Sequence, residues 1–555
     1  MLSSLIAQQQ ASNPGALALW WAMMTPLAGA LILMILPSAN RRQIRGVTLL
    51  ISVLAFCLSL LALSVFDFTK AERMQLTWQF DWITSFGLIF GFGVDSISLW
   101  LVLLTTFLMP IIILGSFSSV ENRIKEFFVW LLILETAMVG VFVATDIIFF
   151  YICFEFTLVP LYFLIGIYGS TQRLKAARVF FLYTFTGSML TFAGVLYVAW
   201  FAREKTGSWS FAIAHLTDIA ADLSASQQAW VLAAMLAGFA VKVPLWPVHT
   251  WLPLAHTEAP TAGSVILAGV LLKLGTYALL RLAIPMTPDA VVQYAPLIGV
   301  LAVTGILYTA LICWVQKDMK KLIAYSSVSH MGFCVLGMFA LNTIGVGGSV
   351  MYMINHGLST GALFLCVGMI YERFHTRQMR DVQGLAHLMP VWSFFMVFFC
   401  LASVGLPGLN GFIGEFLTLM GAFTATDILG PGYAVAAGFG LIFGAIYILY
   451  MVGRVVFGPL KVPGEHAEVR DLGRREIFTL APLAIACLWL GLYPGPVLDT
   501  LERPINKLTA AARHISSENH DRRSRLEPAE KSNGLLMHRA QPPVVVSCCE
   551  PEPDR

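Results

Sequence analysis

The sequence predicts an all-α, polytopic membrane protein, and three observations carry that prediction. Of 555 residues, 57% are hydrophobic and only 12% charged, whereas a soluble chain carries roughly a quarter charged residues. Apolar runs of about 20 residues, the length that crosses a bilayer's hydrocarbon core, recur along the chain. These runs are continuously apolar rather than alternating, which excludes a membrane β-barrel. Mean hydropathy is +0.76.

About fourteen such runs are present, near 17–36, 47–65, 96–116, 127–145, 147–169, 177–201, 230–251, 262–282, 291–313, 321–340, 349–371, 391–420, 432–457 and 477–493. The first has no basic segment before it and no small-residue cleavage site after it, so Ala16–Leu36 is expected to be a retained span rather than a signal peptide. The chain then divides into spans one to three (1–126), a first set of five (127–290), a second set of five (291–460), a loop with the last span (461–504), and a polar segment (505–555). That last segment contains "SSENHDRRSRLEPAEKSNG", a composition expected to stay unstructured.

Basic residues follow the odd-numbered spans: Arg41, Arg42 and Arg45; Arg123 and Lys125; Arg173, Lys175 and Arg178; Lys317, Lys320 and Lys321; Arg373, Arg377 and Arg380; and Lys461 through Arg475. The alternate loops hold few, among them Lys70, Arg73, Arg203, Lys205 and Arg281. The positive-inside rule places the odd-numbered loops in the cytoplasm and both termini on the opposite, periplasmic side of a bacterial inner membrane. The formal charge of +3 says nothing of nucleic acid, because the basic residues sit in loops between spans. Nine cysteines are scattered with no C-x-x-C pair, so neither a disulfide framework nor a zinc or iron–sulfur set is expected, and vicinal Cys548 and Cys549 take no assigned role.

The exceptions to apolarity are the functional signal. Glu135, Glu155, Lys242, Lys273, His330, His356 and Glu415 all fall inside spans. Each charged residue near a helix centre costs about 2.5–3.5 kcal/mol on insertion scales. Structural ion pairing accounts for one such residue as well as function does, but not for the whole set. Lysine and carboxylate are readily tuned between charged and neutral forms by burial and neighbours, which suits them to passing protons.

Two spans are also broken. In "AVKVPLWPVHTWLPLAHTEAPT" (240–261), Pro244, Pro247 and Pro253 follow Lys242, with His249 and His256 between them. In "GLPGLNGFIGEF" (405–416), Gly405–Gly408 precedes Glu415. Proline removes a backbone donor, and a break in a bilayer is tolerated only where it is buried in protein or lines a cavity. Breaks beside ionisable groups mark ion sites near the midplane. Glu155 to His330 spans 175 positions and Lys242 to Glu415 spans 173, a weak echo consistent with two inverted five-helix repeats, each holding a broken helix. No G-x-G-x-x-G or G-x-x-x-x-G-K-[ST] is present, so no nucleotide cradle is expected, and the seven-residue spacing of His249 and His256 suits zinc poorly. Any energy must come from an ion gradient or a partner.

"VKVPLWPVHTWLPLAHTEAPTAGSVILAGVLLKLGTYALLR", "DMKKLIAYSSVSHMGF", "NHGLSTGALFLCVGMIYER" and "GVDSISLW" resemble signature blocks of the antiporter-like subunits of respiratory NADH:quinone oxidoreductase (complex I) and of multisubunit cation/proton antiporters. The likeness covers roughly 90–460. Glu415 stands where the antiporter subunits and the distal complex I subunit carry lysine, which favours a complex I branch. The resemblance implies an ion pair of Glu155 and Lys242, a central Lys273, an axial His330 and a terminal Glu415, with His356 as a further polar position and His249 as a weaker candidate. It implies a proton-translocating subunit with no cofactor of its own, NADH, FMN, iron–sulfur clusters and quinone being handled by partner subunits. Its partners would be neighbouring antiporter-like subunits and the lipid bilayer. Leu254 departs from an often acidic family position. The other function left open is a redox-independent cation/proton antiporter assembly; a purely structural scaffold would tolerate apolar replacement of the buried charges.

Overall fold

The computed structural model describes residues 14–463 and 469–538, with side chains described for all of these except 85 and 520–538. In order, the helices are α1 (Pro14–Ile35), α2 (Arg41–Val65), α3 (Ser96–Ser119), α4 (Ile124–Val143), α5 (Ile147–Phe156), α6 (Leu158–Tyr168), α7 (Arg173–Thr206), α8 (Ile213–Ala220), α9 (Ala225–Lys242), α10 (Trp251–Glu258), α11 (Thr261–Met286), α12 (Pro288–Trp314), α13 (Met319–Phe339), α14 (Thr343–Phe374), α15 (Pro390–Val404), α16 (Asn410–Thr424), α17 (Pro431–Val455), α18 (Arg474–Leu492) and α19 (Gly495–His538). Among the described residues, twelve helices are long and apolar enough to cross a membrane, counting α5 and α6 as one. The fold is all-α in its membrane part, as expected.

Polar residues punctuate the apolar helices where their first N–H groups would otherwise lack acceptors. Asp95 accepts from Ser98 N at 2.9 Å, Asp318 from Lys320 N at 2.8 Å and Asn342 from Gly345 N at 2.8 Å. Between these caps the helices pack around α11 and α14, whose most apolar stretches are entirely buried, while α2, α17 and α18 turn most of their surface outward.

The two expected spans at 230–251 and 391–420 are each a pair of shorter helices. The first ends at Lys242 and resumes at Trp251; the second ends at Val404 and resumes at Asn410. The first break keeps its backbone satisfied from within: Val243 N bonds Phe239 O, Leu245 N bonds Ala240 O, and the Trp251 indole donates to Val241 O at 2.9 Å. An unpaired buried amide or carbonyl would cost roughly 1–3 kcal/mol, so these contacts make the interruption tolerable.

Loops meet at two ends. At the basic end, Lys125 donates to Leu36 O, Lys320 to Ala259 O, and Arg377 pairs with Asp318. At the other, Thr145 N bonds Gly91 O, Ile147 N bonds Phe211 O, and Gln228 joins Asp289.

Two elements differ from expectation, both at this second end. An antiparallel hairpin, β1 (Gln75–Ile83) and β2 (Leu88–Val94), joins α2 to α3, pairing Trp78 with Phe92 and Phe80 with Phe90. Its turn residue Gly87 has φ +64°, and a Cβ there would strike the Trp209 carbonyl. The second difference is a correction: the segment from 505, expected to be unstructured, continues as helix α19. Val497, Leu501, Ile505 and Ala512 are buried, and Thr343 bonds Asn506 at 2.7 Å. Composition averages over the segment, whereas burial needs only this one apolar stripe at helical spacing. Residues 539–555, with Cys548 and Cys549, lie outside the described residues.

Candidate functional site

Six of the ionisable side chains expected to act fall into two groups: Glu155 and Lys242 beside the first broken helix, and Lys273, His356, His330 and Glu415 running to the second. In the first, α5 gives way to α6 at Thr157, and Pro160 has no N–H to offer the preceding turn. Lys242, the last residue of α9, reaches this bend. Its Nζ donates to Phe154 O at 3.0 Å and Thr157 Oγ1 at 3.2 Å, and sits 3.9 Å from the centre of the Phe154 ring. Glu155 lies beside Phe154 with both carboxyl oxygens buried, facing Ser188 rather than the ammonium. The expected ion pair is not in direct contact, no salt bridge joining Glu155 to Lys242 among the described residues, but the two charges stay close enough to attract each other. The bend supplies the reason, because its carbonyl and hydroxyl take the ammonium that the carboxylate was expected to hold.

Lys273 lies on α11 between two wide helical turns, Leu267–Leu271 and Leu279–Ala283, each bonded at five-residue spacing. Such insertions often mark functional sites. Close packing brings this helix against the first break. At Gly275 a Cβ would stand 2.7 Å from Val243 Cγ2 and 3.1 Å from Lys242 Cβ, so only glycine leaves both chains in place.

From Lys273 the second group runs on through contacts. Lys273 Nζ donates to Ala268 O and meets His356 Nδ1 at 2.7 Å. The rings of His356 and His330 are 5.7 Å apart. Ser403 Oγ lies 3.3 Å from His330 Nε2, His330 Nδ1 contacts the Tyr352 hydroxyl, and that hydroxyl donates to Glu415 Oε1. His330 Nδ1 and Glu415 Oε1 are 3.4 Å apart. Glu415 folds back onto the second break: Gly405, at φ +79°, is where a Cβ would fall on Glu415 Oε2. Lys273, His330, His356 and Glu415 are all buried.

A reciprocal clamp holds this region. Asn355 Nδ2 donates to Asn410 O at 2.6 Å and Asn410 Nδ2 to Asn355 O at 3.2 Å, tying α14 to the first turn of α16. Tyr352, Asn355, Ser403 and Asn410 escaped the sequence reading. For Tyr352 and Asn355 the signal was available, since Tyr352, Asn355, His356 and Ser359 share one face of α14 at helical spacing.

His249 lies outside both groups. It is buried in the first break with its ring 5.9 Å from Tyr308 and Nδ1 unpartnered. His256 stacks on Phe364 at 4.7 Å. Glu135 is fully buried in α4 with neither oxygen bonded. Arg281, expected in a loop, is buried and pairs with Asp95 at 2.5 Å, with Ser98 and Tyr277 completing the cluster.

Residues 144–440 match the family described as NADH:quinone oxidoreductase/Mrp antiporter, TM. The chain is 42% identical over 487 residues to NADH-ubiquinone oxidoreductase chain 4 of Marchantia polymorpha, covering 88% of this chain and 96% of that one. It is 44% identical over 488 residues to NADH-quinone oxidoreductase subunit M of Rhodobacter capsulatus, covering 86% and 93%. In structure it resembles a chain of respiratory complex I from Thermus thermophilus solved with bound NADH, at TM-score 0.79 and 31% identity, over 89% of this chain and 99% of that one. A chain of the Mrp complex from Dietzia sp. DQ12-45-1b shares the fold, at TM-score 0.76 and 19% identity over 90% and 98%. With one signature block lying on the first broken helix and two more on α13 and α14 beside the buried histidines, these likenesses place the chain in the family of antiporter-like membrane subunits of NADH:quinone oxidoreductase (complex I), the chain M type.

Proposed function

We propose that this chain moves protons through the membrane along Glu155, Lys242, Lys273, His356, His330 and Glu415, driven by quinone reduction elsewhere in complex I. The observation that carries the reading is the buried run from Lys273 through His356 and His330 to Tyr352 and Glu415, in which hydrogen bonds join all neighbours but the two histidines, whose rings meet edge-on. In the branch ending at Glu415, Tyr352 can pass a proton without storing charge, since its hydroxyl accepts from His330 while donating to Glu415. His249 joins as a lesser member beside the first break. The chain brings no cofactor of its own; NADH, FMN, iron–sulfur clusters and quinone belong to partner subunits. Its neighbours on both sides are other antiporter-like subunits.

The two broken helix pairs, added to the twelve spans counted above, make fourteen in this reading, with spans four to eight and nine to thirteen as inverted repeats. An odd number of spans per set inverts the second relative to the first. The basic end faces the cytoplasm of a bacterial inner membrane and both termini face the periplasm.

Glu415→Gln tests the reading, because an amide keeps the volume but cannot carry the proton. The assembled variant complex is expected to oxidise NADH with fewer protons moved per electron pair, measured as proton uptake into inverted membrane vesicles with assembly checked on native gels. Native stoichiometry in an assembled Glu415→Gln complex would remove Glu415 from the path.

A further inference from the structure

At the basic end, between the C-terminus of α1 and the start of α4, lies a cleft of about 540 Å³. Its wall is apolar, formed by Met34, Val129, Trp130 and Ile133. Its rim carries Arg41, Arg123 and Lys125 together with Glu121 and Glu126. An apolar slot with a charged rim at the end of membrane-crossing helices fits a phospholipid, with acyl chains along the wall and headgroup at the rim.

The commitments of the rim charges narrow the headgroup. Arg123 is held by Glu126 at 2.6 Å, so these two cancel. The Lys125 ammonium is anchored on the Met34 and Leu36 carbonyls at 2.6 and 2.8 Å, and its charge remains. Arg41 and Glu121, both exposed, have no side-chain partner among the described residues. Uncommitted positive charge thus faces the cleft beside one uncommitted carboxylate. A purely anionic headgroup would satisfy the cations and be repelled by Glu121. A choline headgroup would reach Glu121 with no N–H to donate. A headgroup with a phosphate and a primary ammonium satisfies both.

We infer that this cleft is a binding site for a zwitterionic aminophospholipid, phosphatidylethanolamine, with its phosphate at Arg41 and Lys125 and its ammonium at Glu121. The inference is independent of the proton path, and its test does not read pumping. The whole complex, purified in nanodiscs, would be labelled with diazirine-bearing phosphatidylethanolamine and the adducts mapped by mass spectrometry. Labelling is expected on the segment 121–133, displaced better by unlabelled phosphatidylethanolamine than by phosphatidylglycerol or phosphatidylcholine. Arg41→Gln should weaken it about fivefold, the scale of one exposed charge contact. Glu121→Gln should turn the preference toward phosphatidylglycerol. Absence of labelling on 121–133, which a protein neighbour filling the cleft would produce, overturns the site. An unchanged preference in Glu121→Gln overturns the headgroup assignment.

Discussion

Two buried lysines, Lys242 and Lys273, stand on helices in direct contact and are held in different ways. Lys242 rests on the carbonyl and hydroxyl of a helix bend, with Glu155 beside it but unbonded. Lys273 bonds a histidine, and from there titratable groups or hydroxyls follow one another to Glu415. Lys242 can lose its proton only if something moves, because the Phe154 carbonyl cannot carry it away and the Thr157 hydroxyl already donates its own proton to that same carbonyl. A lysine held by an imidazole already has an acceptor in place. On the proposed function, the first region is a gated store and the second a preassembled relay.

The largest effects expected are at the lysines themselves. Lys242→Met and Lys273→Met should each slow proton movement through this chain by at least about tenfold, read as fewer protons taken up per NADH oxidised, since proton-transfer groups contribute on the order of 10²–10⁴ to a rate. Glu155→Gln should behave like Lys242→Met, while Glu155→Asp keeps partial function. If Glu155→Gln and Lys242→Met both assemble and pump at the native rate, the first region is structural and the comparison collapses.

The comparison sharpens at the hydroxyls. Tyr352→Phe removes the bridge between His330 and Glu415 and should slow pumping by about tenfold, the equivalent of one hydrogen bond to a charged group. Thr157→Val should cost about threefold or less, because Lys242 keeps the Phe154 carbonyl. Equal effects in stopped-flow pH-dye measurements would mean that the two regions are wired alike.

Contact between the regions depends on Gly275. Gly275→Val forces a branched side chain against Val243 and Lys242 and should destabilise the chain by about 1–3 kcal/mol. Less assembled complex on native gels is the expected result. Gly444→Ala, whose Cβ would meet only the Tyr447 hydroxyl at 3.9 Å, should assemble normally.

A smaller effect is expected at Asp146, outside the membrane-spanning segments, where it caps α5 by accepting from Ile148 N and Phe149 N. Burial pushes its carboxyl from 3.8 up to about 6, against the lowering effect of those bonds. The folded chain therefore holds this proton more tightly than the unfolded one. That contribution to stability is fully present below about pH 3.8 and lost as pH rises through about 6. Asp146→Asn keeps the acceptor without the charge, so it should melt at least about 2 °C above the native protein at pH 8, with the gap closing by pH 4. A gap that does not vary with pH in thermal melts would dissociate Asp146 from this titration.

The sequence by itself determined the membrane class, the two interrupted spans and the ionisable residues within them. Each of these is a local quantity: an apolar run of bilayer length, prolines or glycines within a run, or a charge where charge is expensive. The hairpin was also within reach, since Leu76, Trp78, Phe80 and Trp82 alternate with period two, but it lies between apolar runs that dominate the pattern. The stripe that packs α19 was hidden by the polar residues around it. Only the tertiary structure decided which partner each buried charge takes. Lys242 falls on Phe154 and Thr157 rather than Glu155 because a bend frees acceptors one residue from the carboxylate. Tyr352 reaches Glu415 across 63 positions because Asn355 and Asn410 clamp their helices together and Gly405 leaves room for the carboxylate. Hydropathy sums over neighbours along the chain, whereas a hydrogen bond between distant residues is set by how helices pack, to within a few tenths of an ångström.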